Sequence, residues 1–150
     1  MKRSERLGFI VELAARQEQE ALENLGSSQR KLNDLLQQLQ QLQSYRTDYR
    51  TQFDRQQRQG IAVDRLLELR AFSERLDQAI DSQQQTTTHQ ERELQRLRSH
   101  WLDKRRHRQA LDNLRQQALR DEASEQARRE QQETDARALR VSRKRGTTPA

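Results

Sequence analysis

The 150-residue sequence has no cysteine, which excludes disulfides and thiolate metal sites. It has one proline, at position 149, and four glycines, isolated at 8, 26, 60 and 146. Helix-breaking residues are therefore scarce, and a glycine-rich phosphate loop is excluded. Hydrophobic residues make up only 31% even with alanine counted, against 35% charged residues. Such a chain cannot fill a three-dimensional interior at normal packing density. It can still bury a narrow apolar stripe, which is what a coiled coil requires; the other fate open to so polar a chain is disorder. No apolar run reaches the ~18 residues of a membrane span. The opening Met1-Lys2-Arg3-Ser4-Glu5-Arg6 lacks the apolar core of a secretory signal, so a cytoplasmic protein is expected.

What the sequence has in abundance is glutamine, with 24 residues, and arginine, which outnumbers lysine 25 to 4 in a net charge of +6. Arginine suits acidic proteins or nucleic acids as partners, and equally suits the solvated face of a helix. Leucine spacing favours helix over disorder. Alternate steps of four and three from Leu7 reach Val11, Ala14, Glu18, Ala21, Leu25, Ser28, Leu32, Leu35, Leu39, Leu42, Arg46, Tyr49 and Phe53. Most of these stations are apolar. A heptad seam sustained this long makes a helix supercoil around a partner, so a helix is predicted over about 4–57.

The seam stops at Arg55-Gln56-Gln57-Arg58-Gln59-Gly60. Glycine tolerates the left-handed conformation that closes a helix, and Asp64 is placed to cap a new one. A turn is predicted over about 58–63. The second helix, over about 64–142, runs through Leu66, Leu69, Phe72, Leu76 and Ile80, then Leu94, Leu97, Trp101, Leu111, Leu114 and Ala118. Gln83, Thr87 and Gln90 occupy its seam, and Thr86-Thr87-Thr88 are poor helix formers, so 82–90 is where a break is most expected. Residues 143–150 are expected to fray.

Two long heptad helices joined by a short turn imply an antiparallel hairpin. Its register follows from a mirrored spacing: Gln38, Leu42, Tyr45 and Tyr49 are reflected by Phe72, Leu76, Ala79 and Gln83 about a point beside Gly60. Gln38 should face Gln83, and Tyr49 should face Phe72. Residue 1 then lies opposite residue 120, leaving 121–150 as a helix without a partner. Its Glu/Gln/Arg/Ala composition suits a single exposed helix. The fold expected is all-α, one elongated domain of 1–150 with an overhanging C-terminal helix. A 4–3 repeat is satisfied equally by a hairpin or by two chains, so the oligomeric state stays open.

Chemistry is sparse. His100 and His107 share a helix face but stand roughly 10 Å apart along the axis, too far to share a metal. The carboxylates accompany arginines at helical spacings, as on a solvated face. A two-helix hairpin also lacks a pocket that excludes water, so an enzyme is rejected and no cofactor is expected. Binding features remain. The mirrored array Gln38, Leu42, Tyr45, Tyr49, Phe72, Leu76, Ala79 and Gln83 gathers three of the chain's six aromatic residues. It could simply be the seam of the hairpin, but Tyr45 and Gln38 lie beside the seam and two helices cannot fully cover aromatic rings, so partner binding is the preferred reading. The basic stretch 92–108 surrounds Trp101. Nucleic acid could stack there, but the preferred reading seats Trp101 in the seam opposite Glu20 and Ala21. Arg137, Arg140, Arg143, Lys144 and Arg145 form a basic end with no acid among them, suited to an acidic surface or to solubility alone.

The Leu7-Gly8-Phe9-Ile10-Val11-Glu12-Leu13-Ala14 block, the Gln38/Leu42/Tyr45/Tyr49 array, Gly60, Phe72/Leu76/Ala79-Ile80 and Trp101, in this order, resemble the FliJ family, the coiled-coil component of the bacterial flagellar type III export apparatus. The resemblance covers nearly the whole chain. It implies a rotor-like stalk whose terminal ends enter the pore of a hexameric export ATPase. It also implies an adaptor to the membrane export-gate protein and an escort for export chaperones, at the inner-membrane export apparatus. The gate contact would fall on Gln38, Leu42, Tyr45, Tyr49, Phe72, Leu76 and Ala79. At Gln83 the family can carry a histidine, so no titratable role carries over. The ATPase contact would fall on Leu7, Phe9, Ile10 and the basic end Arg137 to Arg145. The stalk of a virulence-type injectisome is the near alternative, and a basic nucleic-acid-binding coiled coil is the alternative of another class.

Overall fold

A computed structural model describes residues 1–146, which form two α-helices, α1 (Arg3–Gln59) and α2 (Val63–Gly146). The expected all-α antiparallel pairing is present. Every one of the fourteen stations from Leu7 to Phe53 is buried or half-buried, which is the outcome a strict 4–3 repeat demands. α1 ends at Gly60, whose φ is +84° and whose N–H donates to the Gln57 carbonyl at 3.2 Å. Only glycine takes this left-handed conformation without strain. α2 begins one residue earlier than the sequence suggests: Leu66 N–H donates to the Ala62 carbonyl at 3.0 Å. Ala62 is thus the cap residue, and Asp64 sits in the first turn. There its carboxylate acts on the helix dipole.

α2 runs unbroken through 82–90. Intrinsic propensity is weak there, but the polar seam residues all find acceptors. Thr87 Oγ1 donates to its own Gln83 carbonyl at 2.8 Å. Gln90 Nε2 donates to Ser28 Oγ at 2.8 Å and to the Ser28 carbonyl at 3.3 Å. Thr87 and Gln90 are consequently buried at no loss of hydrogen bonding, and packing overrides propensity. Residues 143–146 are helical as well; the remainder of the frayed end expected from sequence, 147–150, lies outside the described residues.

The chain divides into two compact units, Met1–Glu18 with Lys104–Ala150, and Gln19–Asp103. A uniform heptad pattern carries no signal for such a boundary. In the unit Gln19–Asp103, Ala21, Leu32, Leu69, Leu76, Ile80 and Leu94 are buried, with Ile80 only 1% exposed. In the other unit the buried residues are Ser4, Ala14 and Ala118. There Leu114, read from sequence as part of the apolar run, is exposed. The 4–3 station falls instead on Arg115, whose guanidinium lies across Gly8.

The overhang also starts later than the mirror register implies. Glu122 accepts hydrogen bonds from Ser4, whereas the register would put residue 117 opposite Ser4. Helical side chains lean toward their own N-terminus, so Glu122 reaches back about one turn to meet it. Beyond Glu125 every described residue of α2 is exposed.

Candidate partner-binding surface

The eight residues of the mirrored array occupy two kinds of position. Leu42, Tyr49, Leu76 and Gln83 are seam stations. Gln38, Tyr45, Phe72 and Ala79 each immediately precede a station. In an antiparallel pair the positions preceding the stations of both helices flank the same side of the seam. The array therefore lines one face of the unit Gln19–Asp103, although its halves are separated by the turn.

The geometry bears out the pairing. Tyr49 and Phe72 ring centroids are 4.7 Å apart. Tyr45 stands 6.1 Å from Phe72, edge to face, and 6.5 Å from Tyr49. Separations of this order are those at which aromatic pairs attract. Tyr49 Oη donates to the Leu69 carbonyl at 3.1 Å. At the other end of the array Gln83 Nε2 donates to Gln38 Oε1 at 3.1 Å and to the Leu35 carbonyl at 3.3 Å.

Exposure grades the face. Leu76 is buried, and Leu42, Tyr49, Phe72 and Gln83 are half-buried. Gln38 and Ala79 are exposed, and Tyr45 is 52% exposed. Tyr45 therefore contributes less to the seam than Tyr49 or Phe72 and leaves about half of its surface to solvent. A shallow groove beside it is lined by Tyr45, Tyr49, Phe72 and the charged Arg65, Glu68 and Arg75. Burial pushes the Tyr49 phenol above its ordinary value, against the pull of Arg65, so this hydroxyl is a neutral donor throughout the physiological range. On the opposite flank Asp77 lies between Arg46, at 3.6 Å, and Arg50, at 3.5 Å.

The terminal candidates divide differently. Leu7 is a half-buried seam residue, while Phe9 and Ile10 are 62% and 46% exposed. Arg137, Arg140, Arg143, Lys144 and Arg145 are exposed on the overhang. Arg137 is 15 residues past Glu122, about 22 Å farther along the helix than the contact with Ser4. The two terminal sets thus do not form one contiguous surface. Leu13, 56% exposed, and Leu119, 46% exposed, were not singled out from the sequence. Leu13 was legible, because it falls between stations Val11 and Ala14.

The basic stretch is partly neutralised. Trp101 is half-buried at a seam station. Arg96 forms two bonds to Glu93, which hold that carboxyl below its ordinary value. Arg108, at a further station, is hydrogen-bonded to Glu18, which raises the guanidinium's already high pKa. Sequence spacing placed Glu18 in the seam but did not identify this partner. Among the described residues no group of three or more His, Cys, Asp or Glu could hold a metal ion. No helix there is long and apolar enough to cross a membrane.

Among known proteins, the model of the family described as "FliJ: Flagellar FliJ protein" matches residues 2–147. Neither a curated protein nor a solved structure matched the chain.

Proposed function

The chain belongs to the family of flagellar FliJ proteins, with that family's non-enzymatic stalk and adaptor role in flagellar type III export, and from that premise we propose which of its surfaces meets which partner. The Tyr45 face contacts the membrane export-gate protein. The terminal unit, through Leu7, Phe9, Ile10 and the basic residues Arg137 to Arg145, contacts the hexameric export ATPase. Export chaperones are a third class of partner. The protein acts in the cytoplasm, peripherally associated with the inner-membrane export apparatus at the flagellar base.

One observation carries the gate assignment. Aromatic and amide side chains from two segments on either side of the turn converge on one face, and the most exposed aromatic ring among them, Tyr45, contributes least to the seam. Protein interfaces are enriched in tyrosine and phenylalanine at their centres, and such a half-open cluster is pre-organised at little entropic cost. The ATPase assignment draws support from exposed Phe9 and Ile10 and from the cationic overhang, which suits an acidic partner surface.

The test is capture of the flagellar export ATPase and gate protein by wild type and by a Tyr45→Ala/Tyr49→Ala/Phe72→Ala variant whose helicity is verified by circular dichroism. The variant should lose the gate and keep the ATPase. A truncation removing residues 127–150 should do the reverse; it begins past Glu125 so that the Ser4–Glu122 contact survives. Wild type capturing neither protein would overturn the reading, and swapped losses would overturn the assignment of ends.

A further inference from the structure

The start of α1 is locally weak. Its first helical bond runs from Arg6 N–H to the Lys2 carbonyl, at 3.2 Å, so Lys2 occupies the cap position, where its side chain cannot accept a hydrogen bond. Lys2, Arg3 and Arg6 place three cations at the positive end of the helix dipole, with Glu5 the acid of the first turn; that arrangement is unfavourable. Gly8 is among the poorest helix formers.

Yet Ser4 is only 3% exposed. Its N–H donates to Glu122 Oε1 at 3.1 Å and its hydroxyl donates to Glu122 Oε2 at 2.6 Å. A cap residue ordinarily accepts from the second or third helical N–H. Ser4 supplies the second, and the acceptor comes from a residue 118 positions away in sequence. Being a carboxylate, it also answers the helix dipole. One turn on, the Arg115 Nε lies 3.4 Å from where a side chain at Gly8 would begin, so α2 grips the start of α1 twice.

We propose that Glu122 is the N-terminal cap of α1, supplied across the helix pair, and that it holds the exposed row Phe9, Ile10 and Leu13 on a formed helix for its partner to read. Phe9, Ile10 and Leu13 are 62%, 46% and 56% exposed and follow directly on the capped turn. Fraying of that turn would scatter the side chains that begin the row, and a partner would then have to order them on binding. Glu122 is a positioning residue: it sits on α2 and acts through the α1 backbone. The partner in this proposal rests on the reading of the terminal unit as the ATPase-facing end.

The experiment is amide hydrogen exchange on the full-length chain, combined with capture of the export ATPase. In Glu122→Ala, the amides of Ser4 and of residues 6–10 should exchange about five- to tenfold faster, the usual scale for a lost cap, and ATPase capture should weaken. Adding Lys2→Asp, which puts an acceptor at the local cap position, should restore both. Protection at Leu69–Leu94 reports whether the fold is intact; if it falls in Glu122→Ala, the milder Glu122→Gln is read instead. Unchanged exchange at Ser4 and residues 6–10 would overturn the cap. Faster exchange with undiminished capture would overturn its bearing on the partner. If wild type itself captures no ATPase, the ring-facing reading fails, and the exchange arm still judges the cap.

Discussion

Tyr45 and Tyr49 lie one turn apart in the same cluster, and the structure predicts that truncating them separates stability from binding. Tyr49 is half-buried, packs its ring tilted against Phe72 with centroids 4.7 Å apart, and donates its hydroxyl to the Leu69 carbonyl. Full burial of an aromatic ring makes truncation to alanine cost about 3–5 kcal/mol. Scaling that down for partial exposure and adding about 1 kcal/mol for the hydrogen bond gives about 3 kcal/mol for Tyr49→Ala. Tyr49→Phe, which removes only the hydroxyl, should cost about 1 kcal/mol. Tyr45 is 52% exposed and its ring contacts are longer, so Tyr45→Ala should cost under about 1 kcal/mol, an edge-to-face pair being worth about that much. Urea denaturation followed by circular dichroism measures these differences in one series. Capture of the export-gate protein is then compared at a temperature where each variant is folded. Tyr45→Ala should lose most of its gate capture while remaining nearly as stable as wild type. Equal destabilisation by the two alanine variants would refute the burial argument. Full gate capture by Tyr45→Ala would refute the docking face.

Three further outcomes are expected. Gln90→Ala removes two hydrogen bonds to Ser28 and a buried aliphatic stem and should cost about 2–3 kcal/mol in urea denaturation; a cost below about 0.5 kcal/mol would mean the polar layer is not coupled to folding. Gly60→Ala meets nothing within 4 Å, so its cost is backbone strain alone at φ +84°, about 1–2 kcal/mol, visible as a lower Tm. Glu122 is held below the ordinary carboxylate pKa chiefly by the Ser4 side-chain hydrogen bond and next by the Ser4 backbone bond. Its contribution to folding is therefore complete above that ordinary value and is lost as pH falls through the depressed one. Acidification should speed amide exchange in the first turn of α1, and Glu122→Gln should abolish that added pH dependence.

The polar stations explain why this chain keeps a single register despite so thin a seam. A seam of leucine alone tolerates slippage by a heptad, whereas a buried polar residue left without its partner is costly. Gln90 against Ser28, Gln83 against Gln38, and Arg108 against Glu18 each match at one alignment. For a stalk, such layers give up some burial in return for a fixed alignment of the two helices.

Much of the architecture was legible because a coiled coil is close to one-dimensional. Every station of the 4–3 spacing from Leu7 to Phe53 is turned inward on α1, and Gly60 marked the reversal. The mirrored array also followed from spacing, since residues preceding a station share a flank once the pairing is antiparallel. Two things were beyond it, and one was misread. Weak propensity at Thr86-Thr87-Thr88 suggested a break, but Thr86 and Thr87 bond back to carbonyls of their own helix, and Gln83 and Gln90 beside them find acceptors, Ser28 among them, on the other helix. Leu114 was read as a seam residue for being apolar, although the strict 4–3 step from Leu111 already reaches Arg115. The bond between Ser4 and Glu122 joins residues whose spacing carries no local signal, because how far a side chain leans along its helix is settled only when a second backbone stands beside it. Periodicity determined which face of each helix is buried; the exact partner across that face was decided by the reach and hydrogen-bonding capacity of side chains that meet only in the folded pair.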